Sequence, residues 1–203
     1  MSNRQSAIGQ TSGKPRANQT SDIDVISSRA QDSFERIFFR AAQSRLTVQA
    51  DDACVVSPAR HGWESDAADA EVVVLTISSV VFRLLLVLHF EDDEATRAYF
   101  MRDGAQGALR EAFVETGNLC CGAVNQDLLR HFPDLGMSTP YVLSAHCVSH
   151  LEDLKPDYRA SYTVSINASV QLGATVCVFT SAPLDFVADT EAVEESGGEL
   201  ELF

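Results

Sequence analysis

Residues 111–140 read EAFVETGNLCCGAVNQDLLRHFPDLGMSTP, and the fold assignment turns on them. At helical period this stretch has two faces. Leu109, Phe113, Cys120, Val124 and Leu128 make an apolar stripe. Glu111, Glu115, Asn118, Gly122 and Asn125 recur at steps of four and three, which stacks them on one side. Carboxylates and carboxamides dominate that side, and the usual Lys and Arg pairings are sparse. The periodicity predicts a helix from about residue 106 to residue 131, closed by Pro133.

Working outward, residues 94–102 predict a short helix with Ala95, Ala98 and Tyr99 inward and Phe100 beside them. Upstream of it, residues 72–90 run VVVLTISSVVFRLLLVLHF with one charge. A membrane span is one reading of that length. Arg83 near its middle would cost roughly 2.5–3.5 kcal/mol there, and the richness in Val and Ile favours two buried strands, 72–78 and 80–90. Residues 50–70 read as an irregular polar segment in which Trp63 folds back onto the core. In an earlier helix, Phe34, Ile37, Phe38, Ala41 and Ala42 face inward, with Asp32 or Ser33 capping it.

Downstream, residues 140–150, 158–170 and 174–181 predict strands. Tyr162, Val164, Ile166, Ala168 and Val170 alternate, and a turn is expected at 171–173. The resulting order is helix, two strands, short helix, long helix, three strands. It predicts an α+β domain with helices laid on a mainly antiparallel sheet. The expected boundaries are a disordered N-terminal tail over 1–24, one domain over 25–184, and an acidic C-terminal tail over 185–203.

Composition narrows the function. The net charge is −14. Residues 185–203 hold seven acids and no base, whereas residues 1–20 hold Arg4, Lys14 and Arg16 and no acid. A surface this acidic repels phosphate backbones, so nucleic acid is not an expected partner. The five cysteines are scattered and odd in number, which fits a reducing compartment. With no signal-peptide pattern at the start, a cytoplasmic location is expected. His146, Cys147 and His150 form the densest group of metal-ligand types. On a strand Cys147 would point away from the two histidines, so no metal site is expected.

Glu115-x-x-Asn118, with Gly122 four residues after the Asn and a Ser138-Thr139-Pro140 turn, resembles the signature of the CheC/CheX/FliY chemotaxis phosphatases. The resemblance implies a CheC/CheX-like domain that strips phosphate from a phosphorylated CheY-type response regulator. Asn118 would orient the attacking water, and Glu115 would latch onto the regulator's active-site Lys. Glu111, Gly122, Asn125 and Pro140 would line the partner contact. No cofactor of its own is implied; Mg²⁺ is expected on the response regulator. By analogy with CheX alone, a homodimer is also implied. The chain departs from the signature in carrying Glu111 where Asp or Ser is usual, and in a slightly shorter interval from Asn118 to Pro140. In the first helix Glu35 is followed three residues later by Phe38, so one Glu-x-x-Asn site is expected, as in CheX, rather than two. The competing reading is a non-catalytic docking module of the same fold, like the flagellar switch proteins FliM and FliN.

Overall fold

The computed structural model of the chain describes residues 25–59, 70–101 and 108–188. Trp63 and most of the two expected tails lie outside the described residues. In order, the elements are α1 (Ser28–Arg45), β1 (Cys54–Pro58), β2 (Glu71–Ser78), β3 (Phe82–Phe90), α2 (Glu94–Phe100), α3 (Leu109–Leu129), β4 (Gly136–Met137), β5 (Tyr141–Ser144), a 3₁₀ helix (Ala145–His150), β6 (Tyr158–Ile166) and β7 (Val170–Thr180). The strands form one antiparallel sheet in the order β1-β6-β7-β3-β2-β4, and β5 also pairs with β2. This is the α+β arrangement expected from the sequence.

The continuous apolar character of β2 and β3 follows from burial on both faces. Val73, Leu75, Ile77, Leu84, Leu86 and Leu88 point into the main core beneath the helices. Val72, Val74 and Val87 point the other way, into a smaller cluster with Cys177 and Leu151. No helix among the described residues is long and apolar enough to cross a membrane. Residues 72–90 are instead two strands turning at residues 79–81.

Several local expectations are corrected. Cys54–Pro58 form a strand where the sequence suggests irregular chain. It is a five-residue edge strand ending in Pro58, a position where proline takes nothing from the ladder. The strand expected over 140–150 stops at Ser144, whose side chain accepts from the His146 N–H as a 3₁₀ helix begins. Cys147 and Val148 of that helix pack on the rear cluster, while His146 and His150 stay exposed. Tyr158 to Val170 is not one strand either. The chain turns at 167–169, with Asn167 and Ala168 at φ 50° and 54° and a Ser169 N–H to Ile166 C=O hydrogen bond of 3.1 Å. Residues 171–173, the expected turn, lie inside β7. In α2, Ala98 is exposed and Phe100 buried, so the inward face is rotated from the expected one.

The first helix begins a turn earlier than its expected cap. Ser27 is the N-cap, accepting from the Ala30 N–H at 3.1 Å. Ser33, a candidate cap from sequence, is buried and has another task. Its hydroxyl accepts from the Ala188 N–H at 2.9 Å and lies 3.1 Å from the Phe186 carbonyl. The first residues of the supposed acidic tail are thus packed rather than solvated. Phe186 meets Phe34 and Phe132 edge-on at 5.1 Å each, Ala188 is buried, and Asp185 pairs with Arg29. Seven negative charges hid that apolar anchor in the sequence.

Candidate functional site

The site rests on how α3 is held. Leu109, Phe113, Cys120, Val124 and Leu128, the stripe read from sequence, are all buried, as are Gly117 and Cys121. Burial pushes both thiols up, Cys121 to about 12, so neither is a nucleophile near neutrality. Gly117 lets the helix approach the sheet closely. A Cβ at that position would lie 3.2 Å from Leu88 Cδ1 and 3.3 Å from Val73 Cγ1. From the side, Arg40 of α1 reaches Asp127 of α3 at 3.0 Å, and Arg110 reaches Glu71 of β2 at 3.0 Å. Buried apolar contact, with the ion pairs flanking it, sets the rotation of α3 and therefore which residues look outward.

Those residues are the expected polar face. Glu111 and Glu115 are exposed, and Asn118, Gly122 and Asn125 are partly exposed. Glu115 and Asn118 stand one turn apart, which places their Cβ atoms roughly 5–6 Å from each other. Neither side chain forms a hydrogen bond or ion pair with any other described residue. A carboxylate and a carboxamide are thus presented side by side with their bonding capacity unspent. The Asn125 side-chain oxygen is sheltered from solvent and also lacks a hydrogen-bond partner among the described residues. Gly122 borders open space: a Cβ there would meet nothing within 4 Å.

Pro140 stands apart from these five. It belongs to the connection between β4 and β5, at the outer edge of β2. Ser138 ties that connection down, its N–H donating to the Thr76 carbonyl at 2.9 Å and its Oγ accepting from the Thr76 N–H at 3.0 Å. The turn singled out in the sequence is therefore an edge clasp on the strand beneath α3, and α3 packs against both β2 and β4.

The corresponding positions of α1 are built differently. Phe38, three residues after Glu35, is buried and stacks on Tyr162 at 5.1 Å between ring centroids. No carboxamide is presented there.

One residue escaped the sequence reading. Leu119 follows Asn118 and is 48% exposed, the only large hydrophobic side chain of α3 in the exposed class. Its position outside the apolar stripe was visible in the periodicity, but a search for polar pairs passes over it. Among the described residues, no group of three or more His, Cys, Asp or Glu is placed to hold a metal ion. His150 Nδ1 instead lies 3.2 Å from Asp153 Oδ2.

No family model matches the chain, and no curated protein matches it. Comparison with solved structures does find its fold. The chemotaxis protein CheX from Vibrio vulnificus superposes with a TM-score of 0.53 at 15% identity, covering 75% of this chain and 99% of that one. The CheX–CheY–BeF3–Mg²⁺ complex from Borrelia burgdorferi superposes with a TM-score of 0.50 at 10% identity, covering 73% and 97%. The chain is similar to these proteins over nearly their whole length, and at such identities the likeness is one of fold.

Proposed function

We propose that this protein belongs with the CheC/CheX-like chemotaxis proteins, binds a CheY-type response regulator, and hydrolyses the aspartyl phosphate of that partner. One observation carries the reading. Asn118 and Glu115 stand together on the outward face of a helix whose other side is locked to the sheet, and both lack partners among the described residues. Most exposed polar side chains on helices do nothing. Here the pair has the residue types and spacing of the signature that the sequence resembles, on the fold of the CheX structures it is similar to.

The chemistry is modest in its demands. Water attacks phosphorus as the bond from phosphorus to the aspartyl oxygen breaks. Inorganic phosphate and a free carboxylate result, and the proton of the water leaves with the phosphate or to solvent. The transition state is loose, so aligning the water contributes more than activating it. An uncharged carboxamide suits that role. It accepts from and donates to water, and it adds no negative charge beside the phosphoryl group. Asn118 is the residue we assign to this task. Glu115, one turn earlier, pairs with a lysine of the regulator and sets the register of docking. A lysine–carboxylate contact across an interface fixes orientation and speeds encounter. The Mg²⁺ belongs to the regulator's own phosphorylation site and neutralises charge there. With Phe38 buried in α1, we assign one such site to the described residues.

The test is the rate of phosphate loss from a purified CheY-type receiver, with and without the protein. Acceleration that saturates with receiver concentration is expected. Glu115→Ala should raise the half-saturating concentration by about tenfold, as loss of a charged interface contact does. A protein that binds the receiver without hastening phosphate loss would be a docking module, and the hydrolase reading would be rejected.

A further inference from the structure

Resting on that reading, we infer that Leu119 is the apolar contact through which the receiver docks, and that it sets docking affinity rather than turnover. A single exposed leucine means little by itself. Its position gives it weight. Glu115, Asn118, Leu119 and Gly122 stand at i, i+3, i+4 and i+7, the corners of one diamond on the helix surface, an arrangement that seats one side chain of a facing element. The corners differ in chemistry. Glu115 supplies charge, Asn118 supplies the amide, and Gly122 supplies empty space, since a Cβ there would meet nothing within 4 Å. Leu119 is the apolar wall, 48% exposed in the free chain.

A leucine half out of water gains from contact only if the arriving group is itself apolar. The occupant assigned to this seat is therefore a hydrophobic side chain of the receiver, carried beside its phosphorylated aspartate. The open Gly122 corner leaves it room. Polar contacts from Glu115 and Asn118 then fall on the charged surroundings of the phosphoryl group, and the apolar contact supplies affinity that is the same in the ground state and the transition state. Binding of that kind changes KM and leaves kcat alone.

The experiment uses the full chain and a CheY-type receiver. Steady-state phosphate loss is measured with acetyl phosphate as donor, and binding with the same receiver loaded with BeF3 and Mg²⁺. Leu119→Ala is expected to raise both KM and Kd by about five- to tenfold, the effect of losing roughly half a leucine's burial. The same variant should keep kcat within about twofold, and Leu119→Met should restore KM. An unchanged melting temperature for Leu119→Ala will show that the fold is intact. Unchanged KM and Kd in that variant would overturn the inference while leaving the role of Asn118 standing. A fall in kcat at constant Kd would overturn it too, because Leu119 would then act on the chemistry. If the unsubstituted protein binds the receiver yet does not hasten phosphate loss, the hydrolase reading fails, and Kd alone still decides the part played by Leu119.

Discussion

The two glycines in the middle of α3 should respond to the same substitution with opposite sign. Replacing glycine by alanine inside a helix gains about 0.5–1 kcal/mol, because the unfolded chain has less freedom to lose. At Gly122 nothing opposes that gain, since the added Cβ meets no atom within 4 Å. Gly122→Ala is expected to stabilise the fold by that amount, a rise in melting temperature of about 1–4 °C for a domain of this size. At Gly117 the added carbon lies 3.2 Å from Leu88 Cδ1 and 3.3 Å from Val73 Cγ1, inside the roughly 3.5–4.0 Å of a comfortable carbon contact. Leu88 and Val73 are wholly buried and have no solvent to retreat into. Overpacking of this kind costs about 1–3 kcal/mol, which outweighs the helix gain. Gly117→Ala should therefore lower stability by about 1 kcal/mol net. Urea unfolding of the two variants beside the parent protein measures both signs in one series. Equal stabilisation by both substitutions would refute the seating of α3 through Gly117, and with it the rotation that turns Glu115 and Asn118 outward.

Two further predictions concern the scaffold. Ala168 occupies the left-handed region at φ 54°, which costs a residue with a Cβ roughly 1–2 kcal/mol, so Ala168→Gly should stabilise the β6–β7 hairpin by about 0.5–1 kcal/mol in thermal or urea unfolding; a loss of stability would contradict that turn. His89, buried with its Nε2 3.4 Å from Thr175 Oγ1, is held neutral by desolvation, its pKa pushed down to about 4 from 6.5. The unfolded chain takes up this proton below pH 6.5 and the folded chain only near pH 4, so stability is complete above 6.5 and falls by up to about 3 kcal/mol as the pH drops to 4. His89→Gln should flatten that limb of the profile, and pH profiles that run parallel would contradict the assignment.

The parts of this fold that could be read from sequence are those where one periodicity runs long enough to exclude others. In α3 the apolar stripe persists over Leu109–Leu129, and every residue assigned to it is buried. The runs of β-branched residues identified β2 and β3, because a sheet covered on both faces leaves no polar alternation to misread. Short or locally balanced segments were not legible. β1 has only five residues and its partner lies more than a hundred positions away. Ala168 continued the alternation of β6 by coincidence, and an Asn-Ala turn lacks the glycine that would have announced it. At Phe186 an aromatic anchor sits among acids, and its ring partners Phe34, His131 and Phe132 lie far away in the sequence. The site followed the same division. That the candidate residues Glu115, Asn118 and Gly122 share one outward face was legible because a single helix carries all three. The clasp made by Ser138 on Thr76 depends on a neighbour 62 positions away that no local spacing reveals, whereas Leu119 lay visibly off the apolar stripe and was passed over because it is not polar.

If the Asn118 carboxamide places water for attack on a partner's phosphoryl group, as proposed, Asn118→Ala should separate turnover from binding. Two quantities are measured on the same preparation: kcat for phosphate loss from a CheY-type receiver, and Kd for that receiver loaded with BeF3 and Mg²⁺. The expected result is a fall in kcat of about a hundredfold or more, the scale of losing a positioning group, with Kd changed by less than about threefold. Turnover that survives the substitution, or that is lost only in proportion to binding, would contradict the claim.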